Sequence, residues 1–305
     1  MANSTSEDLG LRRHVRQATR MDAASVQRLL RMGIYVHVHV DWRLPGEWLG
    51  SSGFVVYDTG YGDDERRLPH HSAAPDVVGC LAVAASPAPA AWVRVAAVES
   101  TAGFAQTEAM FAGILETLDP AIDEIAWFLT DYWPLQWLER LGFVAVSEVL
   151  GFQKGDLAAP PIHRPPDLEI RPLLIEDLPA LEAIEVAAFE PRWRHSAEDL
   201  YLAWRHSICF QVALEVGEPV GFQFSAGGQG SAHLSRMTVR PDRQGAGIGA
   251  ALLTDAMDCY RRQHIDSVTL NTQSDNHASR RLYERFGFRP TGHSYPVWSY
   301  FPKHR

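Results

Sequence analysis

Leu178, Leu181, Ile184 and Phe189 recur at helical spacing behind Glu176 and Asp177, which predicts an amphipathic helix early in the second half of the chain. A strand over 168–173 precedes it, and segments 210–216, 219–225 and 232–239 read as further strands. Pro241 and Asp242 end the last of these, and a glycine loop leads into a helix over 250–263. A strand at 267–271, a helix at 277–286 stopped by Gly287, and a strand region from Phe288 complete the series. The order β-α-β-β-β-α-β-α-β predicts an α/β fold with helices packed on a mixed sheet.

The first half repeats this order in weaker form, with helices at 23–31 and 104–118 and strands at 53–57, 77–84, 91–98 and 124–129. Trp137-Leu138-Glu139-Arg140-Leu141-Gly142-Phe143 parallels Leu282-Tyr283-Glu284-Arg285-Phe286-Gly287-Phe288 at the same place in the order, which indicates an internal duplication. Between the halves, Pro160, Pro161, Pro165 and Pro166 forbid helix and resist central strand, so the segment reads as an extended linker. The expected organisation is a disordered lead at 1–13, a first domain at 14–155, a linker at 156–167 and a second domain at 168–305.

The loop Arg243-Gln244-Gly245-Ala246-Gly247-Ile248-Gly249-Ala250 carries the most informative chemistry. Alternating glycines between a strand and a helix let the backbone approach a ligand, and the helix start adds partial positive charge, which suits phosphate. A nucleoside-triphosphate loop would end in Gly-Lys-Ser/Thr, and Gly249-Ala250-Ala251 has neither the lysine nor the hydroxyl. A dinucleotide fingerprint needs G-x-G-x-x-G tight against the strand and an acidic residue ending the next strand, but here that strand ends in Leu270-Asn271. The chain has 305 residues and a net charge of −9, which argues against non-specific binding to nucleic acid or anionic membranes. Local arginines (236, 240, 243, 261, 262, 280, 281, 285 and 289) nevertheless concentrate around the loop, where a polyanionic ligand would need them.

Met237-Thr238-Val239-Arg240-Pro241 followed by Gln244-Gly245-Ala246-Gly247-Ile248-Gly249 resembles the acetyl-CoA motif Q/R-x-x-G-x-G/A of the GCN5-related N-acetyltransferase (GNAT) family. The family's second motif is matched by Asn276-His277-Ala278-Ser279-Arg280-Arg281-Leu282-Tyr283, continuing to Phe288. The resemblance covers about residues 168–302 and implies two tandem GNAT-like acyl-CoA N-acyltransferase domains, each a mixed twisted sheet flanked by helices, the first a degenerate copy. It implies that Met237, Thr238 and Val239 lie along the pantetheine, with the backbone of Met237 and Val239 pairing its amides. Amides from Gln244 to Ala250 then receive the pyrophosphate, Asn276 reaches the pantetheine arm, and Tyr283 is the general acid at the coenzyme sulfur. Acetyl-CoA is the implied co-substrate, with no metal, and a small-molecule or peptide amine is the implied acceptor.

A base for that amine is not singled out by spacing; His233, Glu185, Ser235 and His293 are the candidates. The first half offers Gly103-Phe104-Ala105-Gln106-Thr107-Glu108 opposite the glycine loop, Leu138 opposite Tyr283 and about Asp131 opposite Asn276. One active site per chain is therefore expected. His37-Val38-His39-Val40-Asp41, with Asp63-Asp64-Glu65 and His70-His71, could suggest a metal, but the alternation equally describes the solvated face of a strand. Six of the nine tryptophans (42, 48, 133, 137, 193 and 204) fit core packing or an acceptor cleft. Asp177, Glu182, Glu190 and Asp199 fit either a solvated helix face or attraction of a cationic amine. Cys80, Cys209 and Cys259 are widely separated and odd in number, as expected for free thiols in a reducing cytoplasm. The polar N-terminus lacks a signal-peptide core, and a cytoplasmic location without nucleic-acid or membrane partners is expected. A homodimer is among the assemblies left open. The alternatives to amine acetylation are a non-catalytic acyl-CoA-binding regulatory module, another acyl donor and an oxygen acceptor.

Overall fold

A computed structural model describes residues 10–40, 42–60, 76–85, 87–101 and 103–302. The chain forms two compact units: unit 1 is Met1–Val146 with Val297–Arg305, and unit 2 is Ser147–Pro296. Unit 1 contains β1 (Val15–Gln17), α1 (Ala23–Met32), β2 (Tyr35–Val38), β3 (Phe54–Asp58), β4 (Val77–Ala85), β5 (Ala90–Val98), α2 (Phe104–Thr117), β6 (Glu124–Phe128) and the short α3 (Leu135–Leu138). β7 (Val144–Lys154) leads into unit 2, which holds β8 (Leu168–Pro172), α4 (Leu178–Ala188), α5 (Ala197–His206), β9 (Cys209–Glu215), β10 (Glu218–Gly228) and β11 (Ser231–Val239). It continues with α6 (Ile248–Arg262), β12 (Ser267–Gln273), α7 (His277–Arg285) and β13 (Arg289–Tyr300), whose last residues return to unit 1.

The strands of each unit follow the same order. Unit 1 runs β1-β3-β4-β5-β6 and closes with Val297–Tyr300 of β13; unit 2 runs β8-β9-β10-β11-β12 and closes with residues 149–154 of β7. In both, the first three junctions are antiparallel, the fourth is parallel and the fifth is antiparallel. A corner ion pair is repeated as well: Arg16 binds Asp22 in unit 1, and Arg171 binds Asp177 in unit 2, each through two hydrogen bonds. These parallels establish the duplication that the heptapeptide echo suggested.

The closing strands move the boundaries. The sequence placed the division at the proline-rich stretch, 156–167, and assigned 168–305 to the second domain. Instead, unit 2 starts at Ser147 and the last strand residues complete the sheet of unit 1. Strand pairing is non-local, so nothing in the local pattern of 144–154 or 289–300 shows which sheet each joins. The proline stretch is irregular as expected, but it is docked on unit 2. The Leu157 carbonyl accepts from Arg261 at 2.9 Å, the Pro161 carbonyl from Arg285 at 3.1 Å, and Arg164 pairs with Asp255 at 3.0 Å. The lead at 1–13 lies outside the described residues up to residue 9, and Gly10–Arg12 are helical.

Helix α5 was not expected. Its start is a reciprocal cap: the Ser196 hydroxyl accepts from the Asp199 amide at 3.1 Å, and the Asp199 carboxylate accepts from the Ser196 amide at 3.0 Å. The Ser-x-x-Asp spacing was available in the sequence and is the signal that identifies it. In unit 2, the core between sheet and helices gathers Leu253, Met257 and Tyr260 from α6 with Phe152, Leu234, Leu270, Tyr283, Phe286 and Phe288. Each large side chain buried there contributes about 1.5–3 kcal/mol of transfer free energy. Among the described residues no helix is long and apolar enough to cross a membrane.

The strand at His37 inverts the solvated-face reading. His37 is fully buried beside Trp127 and His39 stacks on Trp92, while Val38 and Val40 are exposed. Ring packing, rather than hydration, therefore takes up the polar positions. Among the described residues no group of three potential metal ligands occurs; Asp41, Asp63–Glu65 and His70–His71 lie outside them. The cysteines are free, and Cys209 and Cys259 each accept from a glutamine, Gln223 at 3.2 Å and Gln263 at 3.4 Å. Trp48 and Trp137 belong to the core of unit 1.

Candidate active site

The site in unit 2 starts from a fork in its sheet. Parallel pairing of β11 with β12 runs from Ser231↔Ser267 to Leu234↔Leu270 and stops. Beyond that point β11 stays on β10 as far as Val239↔Gly221, and β12 stays on β7 as far as Gln273↔Val149. A bulge drives the separation: Ser225 faces Leu234 and Phe224 faces Arg236, so Ser235 is inserted between them and the strand bends. The edge from Ser235 to Val239 is thereby left open on the β12 side, and such an edge pairs readily with an extended amide-bearing ligand.

The bulge also sorts the side chains to two faces. Leu234, Met237 and Val239 pack against α6 and its surroundings. Arg236 and Thr238 turn to the other face, where they meet Glu185 of α4. His233 lies before the bulge, with its Nδ1 2.9 Å from the Thr269 hydroxyl.

At the end of β11 the chain makes one 3₁₀ turn, Pro241–Arg243, and enters the glycine loop. The Gln244 side chain fastens the turn by donating to the Val239 carbonyl at 3.1 Å. Gly245 and Gly247 have φ of +81° and +92°, a region costly for other residues. Gly247 is the N-cap of α6 and brings no side chain to its first turn, so the amides there face outward from an uncapped helix start. Gly249 lies in that first turn, where an added Cβ would be 3.4 Å from Leu282 of α7. An anion can therefore come against the backbone of 245–250, and the helix dipole favours it.

Asn276 caps α7 by accepting from the Ser279 amide at 3.1 Å, which occupies its carbonyl oxygen and leaves the carboxamide N–H₂ as a donor. Two turns beyond that cap, Tyr283 is 5% exposed and packs edge-on against Phe288. Burial pushes its phenol up to about 12, against the opposing effects of a Ser279 hydrogen bond and the Arg236 charge. It therefore keeps its proton throughout the neutral range.

The candidate bases separate clearly. Glu185 is fully buried, and its carboxylate accepts from Arg236, from Thr238 Oγ1 at 2.8 Å and from the His195 amide at 3.1 Å. Burial alone would raise its carboxyl, but the Arg236 charge and hydrogen bonds, with Thr238, hold it below the usual carboxylate range. A carboxylate so engaged anchors Arg236, Thr238 and the His195 amide. Burial lowers the pKa of His233 and keeps its imidazole neutral. The Ser235 hydroxyl donates to the His233 carbonyl, and His293 is exposed on β13.

Several residues read as solvated or anion-seeking are tied up. Asp177 pairs with Arg171, and Asp199 is part of the α5 cap. Arg240 pairs with Asp242 at 2.7 Å, Arg243 with Glu215, and Arg261 with Asp258. The phosphate-binding potential thus rests more on backbone amides than on the arginine cluster. Sequence reasoning missed the Arg236–Glu185 pair, because the partners are distant in the chain and only the bulge turns Arg236 toward α4.

The acetyltransferase (GNAT) family model matches residues 178–288. An uncharacterised N-acetyltransferase of Methanocaldococcus jannaschii is 32% identical over 123 residues, covering 39% of this chain and 77% of that protein. A mycothiol acetyltransferase of Acidothermus cellulolyticus is 32% identical over 179 residues, covering 50% of this chain and 54% of that protein, about half its length. The crystal structure of a GCN5-related N-acetyltransferase from Sphaerobacter thermophilus shares the fold with a TM-score of 0.59 at 18% identity, covering 94% of this chain and 95% of that one. The chain belongs to the GNAT family. It is a GNAT-type acetyltransferase, of a family that uses acetyl-CoA.

Proposed function

We propose that unit 2 transfers acetyl from acetyl-CoA to an amine of a small molecule or peptide, and that unit 1 is a degenerate copy without a second active site. The observation that carries this is the convergence of an open strand edge at Ser235–Val239, an uncapped glycine-lined helix start and a protonated buried phenol. The residues fit the coenzyme: the β11 backbone at Met237 and Val239, beside Thr238, suits its pantetheine amides, and Asn276 offers a donor to the same arm. The amides of Gln244, Gly245, Ala246, Gly247, Ile248, Gly249 and Ala250 suit its pyrophosphate. When bound, acetyl-CoA supplies the activated acetyl thioester.

The protein's own groups manage charge and protons. Tyr283 Oη donates a proton to the departing sulfur as general acid. A backbone N–H of the open edge near Met237 stabilises the developing negative charge on the carbonyl oxygen. His233, neutral and on the side chain face opposite α6, takes the proton that the amine releases, its Nδ1 held at Thr269. Arg236 and Glu185 keep that face rigid. An amine acceptor is further supported by the relatives, one named as an N-acetyltransferase and another as a mycothiol acetyltransferase. A panel of amine, amino-acid, peptide and amino-sugar acceptors, assayed by release of the coenzyme thiol, tests the reading. Turnover with an amine and its loss in Tyr283→Phe are expected; turnover with alcohols alone, or with none, would reject it.

A further inference from the structure

In unit 2, among the described residues, no strand pairs with the residues after the β11 bulge on their β12 side. The same position in unit 1 is taken. There the register of β4 against β5 shifts so that Ala82 faces Val95 and Val83 faces Val93, which makes Arg94 the bulge residue equivalent to Ser235. Parallel pairing of β5 with β6 again stops short of the bulge, at Trp92↔Ala126. The residues after it, Val95–Val98, correspond to Arg236–Val239.

These residues are paired along their full length by β2, from Val38↔Val95 to Tyr35↔Val98. Two further bonds extend the ladder: Ile34 N donates to Val98 O at 3.0 Å, and His39 N donates to Arg94 O at 2.8 Å. The outer carbonyl of β2 is also engaged, since Trp133 Nε1 donates to Val36 O at 2.9 Å. Aromatic packing holds the strand in place. Tyr35 lies 5.4 Å from the Trp133 ring and 4.8 Å from that of Trp137, and His37 is buried 5.5 Å from Trp127.

The phosphate end has changed with it. β5 ends at Val98 and α2 starts at Phe104, a shorter connection than the one from Val239 to Ile248. Its N-cap, Gly103, has φ of −64°, not the +92° of Gly247. The positive-φ cap that opens α6 in unit 2 is therefore not repeated at Gly103.

We infer that β2 is the resident occupant of the coenzyme slot of unit 1, so that one chain binds one coenzyme A, in unit 2 alone. The inference rests on the proposed reading of unit 2 for the identity of the slot. It assigns a role to the segment from Ile34 to His39: an internal strand that satisfies the backbone edge which the duplicated fold would otherwise leave open for a pantetheine.

The test uses the full chain and coenzyme A. Isothermal titration should give one site per chain, and two sites would overturn the inference while leaving the reading of unit 2 intact. No binding at all would reject the reading of unit 2, and this proposal with it. In Gly247→Asp, a carboxylate at the start of α6 should reduce binding below detection; one remaining site of unchanged affinity would show that unit 1 binds the coenzyme. Hydrogen exchange supplies a readout independent of that variant. The amides of β2 should keep their protection at saturating coenzyme A in the wild-type chain, and their deprotection would show that β2 yields its place to the ligand.

Discussion

Leu138 and Tyr283 hold the same position in two copies of one fold. The carbonyl of Leu138 accepts the Phe143 amide at 2.9 Å, and that of Tyr283 accepts the Phe288 amide at 3.0 Å. Each lies before a glycine of positive φ, Gly142 at +85° and Gly287 at +82°, and each side chain is buried. Backbone and burial are retained while the hydroxyl is present in only one copy. Packing explains a large side chain at both places; it does not explain a phenol at one.

Tyr283→Phe should lower kcat about 10²–10³-fold, the usual range for a positioned acid, with little change in coenzyme affinity or thermal midpoint. Because its phenol is pushed up to about 12, no loss of activity from its ionisation should be seen between neutral pH and ~10. Steady-state thiol release against pH checks both. Full turnover by the variant would remove Tyr283 from the mechanism.

His233→Ala should lower kcat/KM by about 10² and abolish an acidic limb in the wild-type profile. Its pKa is depressed by burial, so that limb should lie below the ordinary value of about 6.5. An unchanged limb in the variant would place the base elsewhere.

Glu185→Ala strands the Arg236 charge in the interior and should destabilise unit 2 by roughly 3–5 kcal/mol in urea unfolding. The carboxyl is held below its ordinary range, so its stabilisation is complete above the unfolded pKa of about 4.3 and is lost as pH falls through the lower folded value. Wild-type stability attributable to Glu185 should therefore be flat from neutrality to about pH 5 and decline on further acidification. A glutamate acting as a base, without a structural role, would show neither effect.

Gly247→Ala places a Cβ 3.0 Å from the His163 carbonyl at a φ of +92°. A loss of about 1–2 kcal/mol in stability is expected from the backbone conformation. An affinity loss for coenzyme A of about tenfold or more should accompany it if the turn is displaced by ~1.4 kcal/mol in binding. Denaturation and titration measure the two separately.

Truncation after Pro296 removes Val297–Tyr300 from β6, including the Ser299–Glu124 hydrogen bond and the Tyr300 contacts with Phe111 and Phe143. Hydrogen exchange should accelerate in Ile125–Phe128 of unit 1 and stay unchanged in β12 of unit 2. Equal acceleration in β12 would contradict the assignment of this strand to unit 1.

The sequence by itself determined the elements of unit 2 other than α5 and β7 to within a few residues, together with the glycine loop and the position of Tyr283. These depend on local causes: helical spacing, a helix-breaking Pro241, glycines tolerant of positive φ, and a motif compact enough to read. It also determined that the chain is a duplication, through Trp137–Phe143 and Leu282–Phe288. Tertiary structure decided which sheet β7 and β13 complete, that Glu185 is clamped by Arg236 and Thr238, and that β2 fills the open edge of β5. Each of these joins residues far apart in the chain, and the deciding quantities are strand register, the side to which a bulge turns a side chain, and competition for unpaired backbone groups. None leaves a periodic trace in sequence, because the same alternating residues serve on either edge of either sheet.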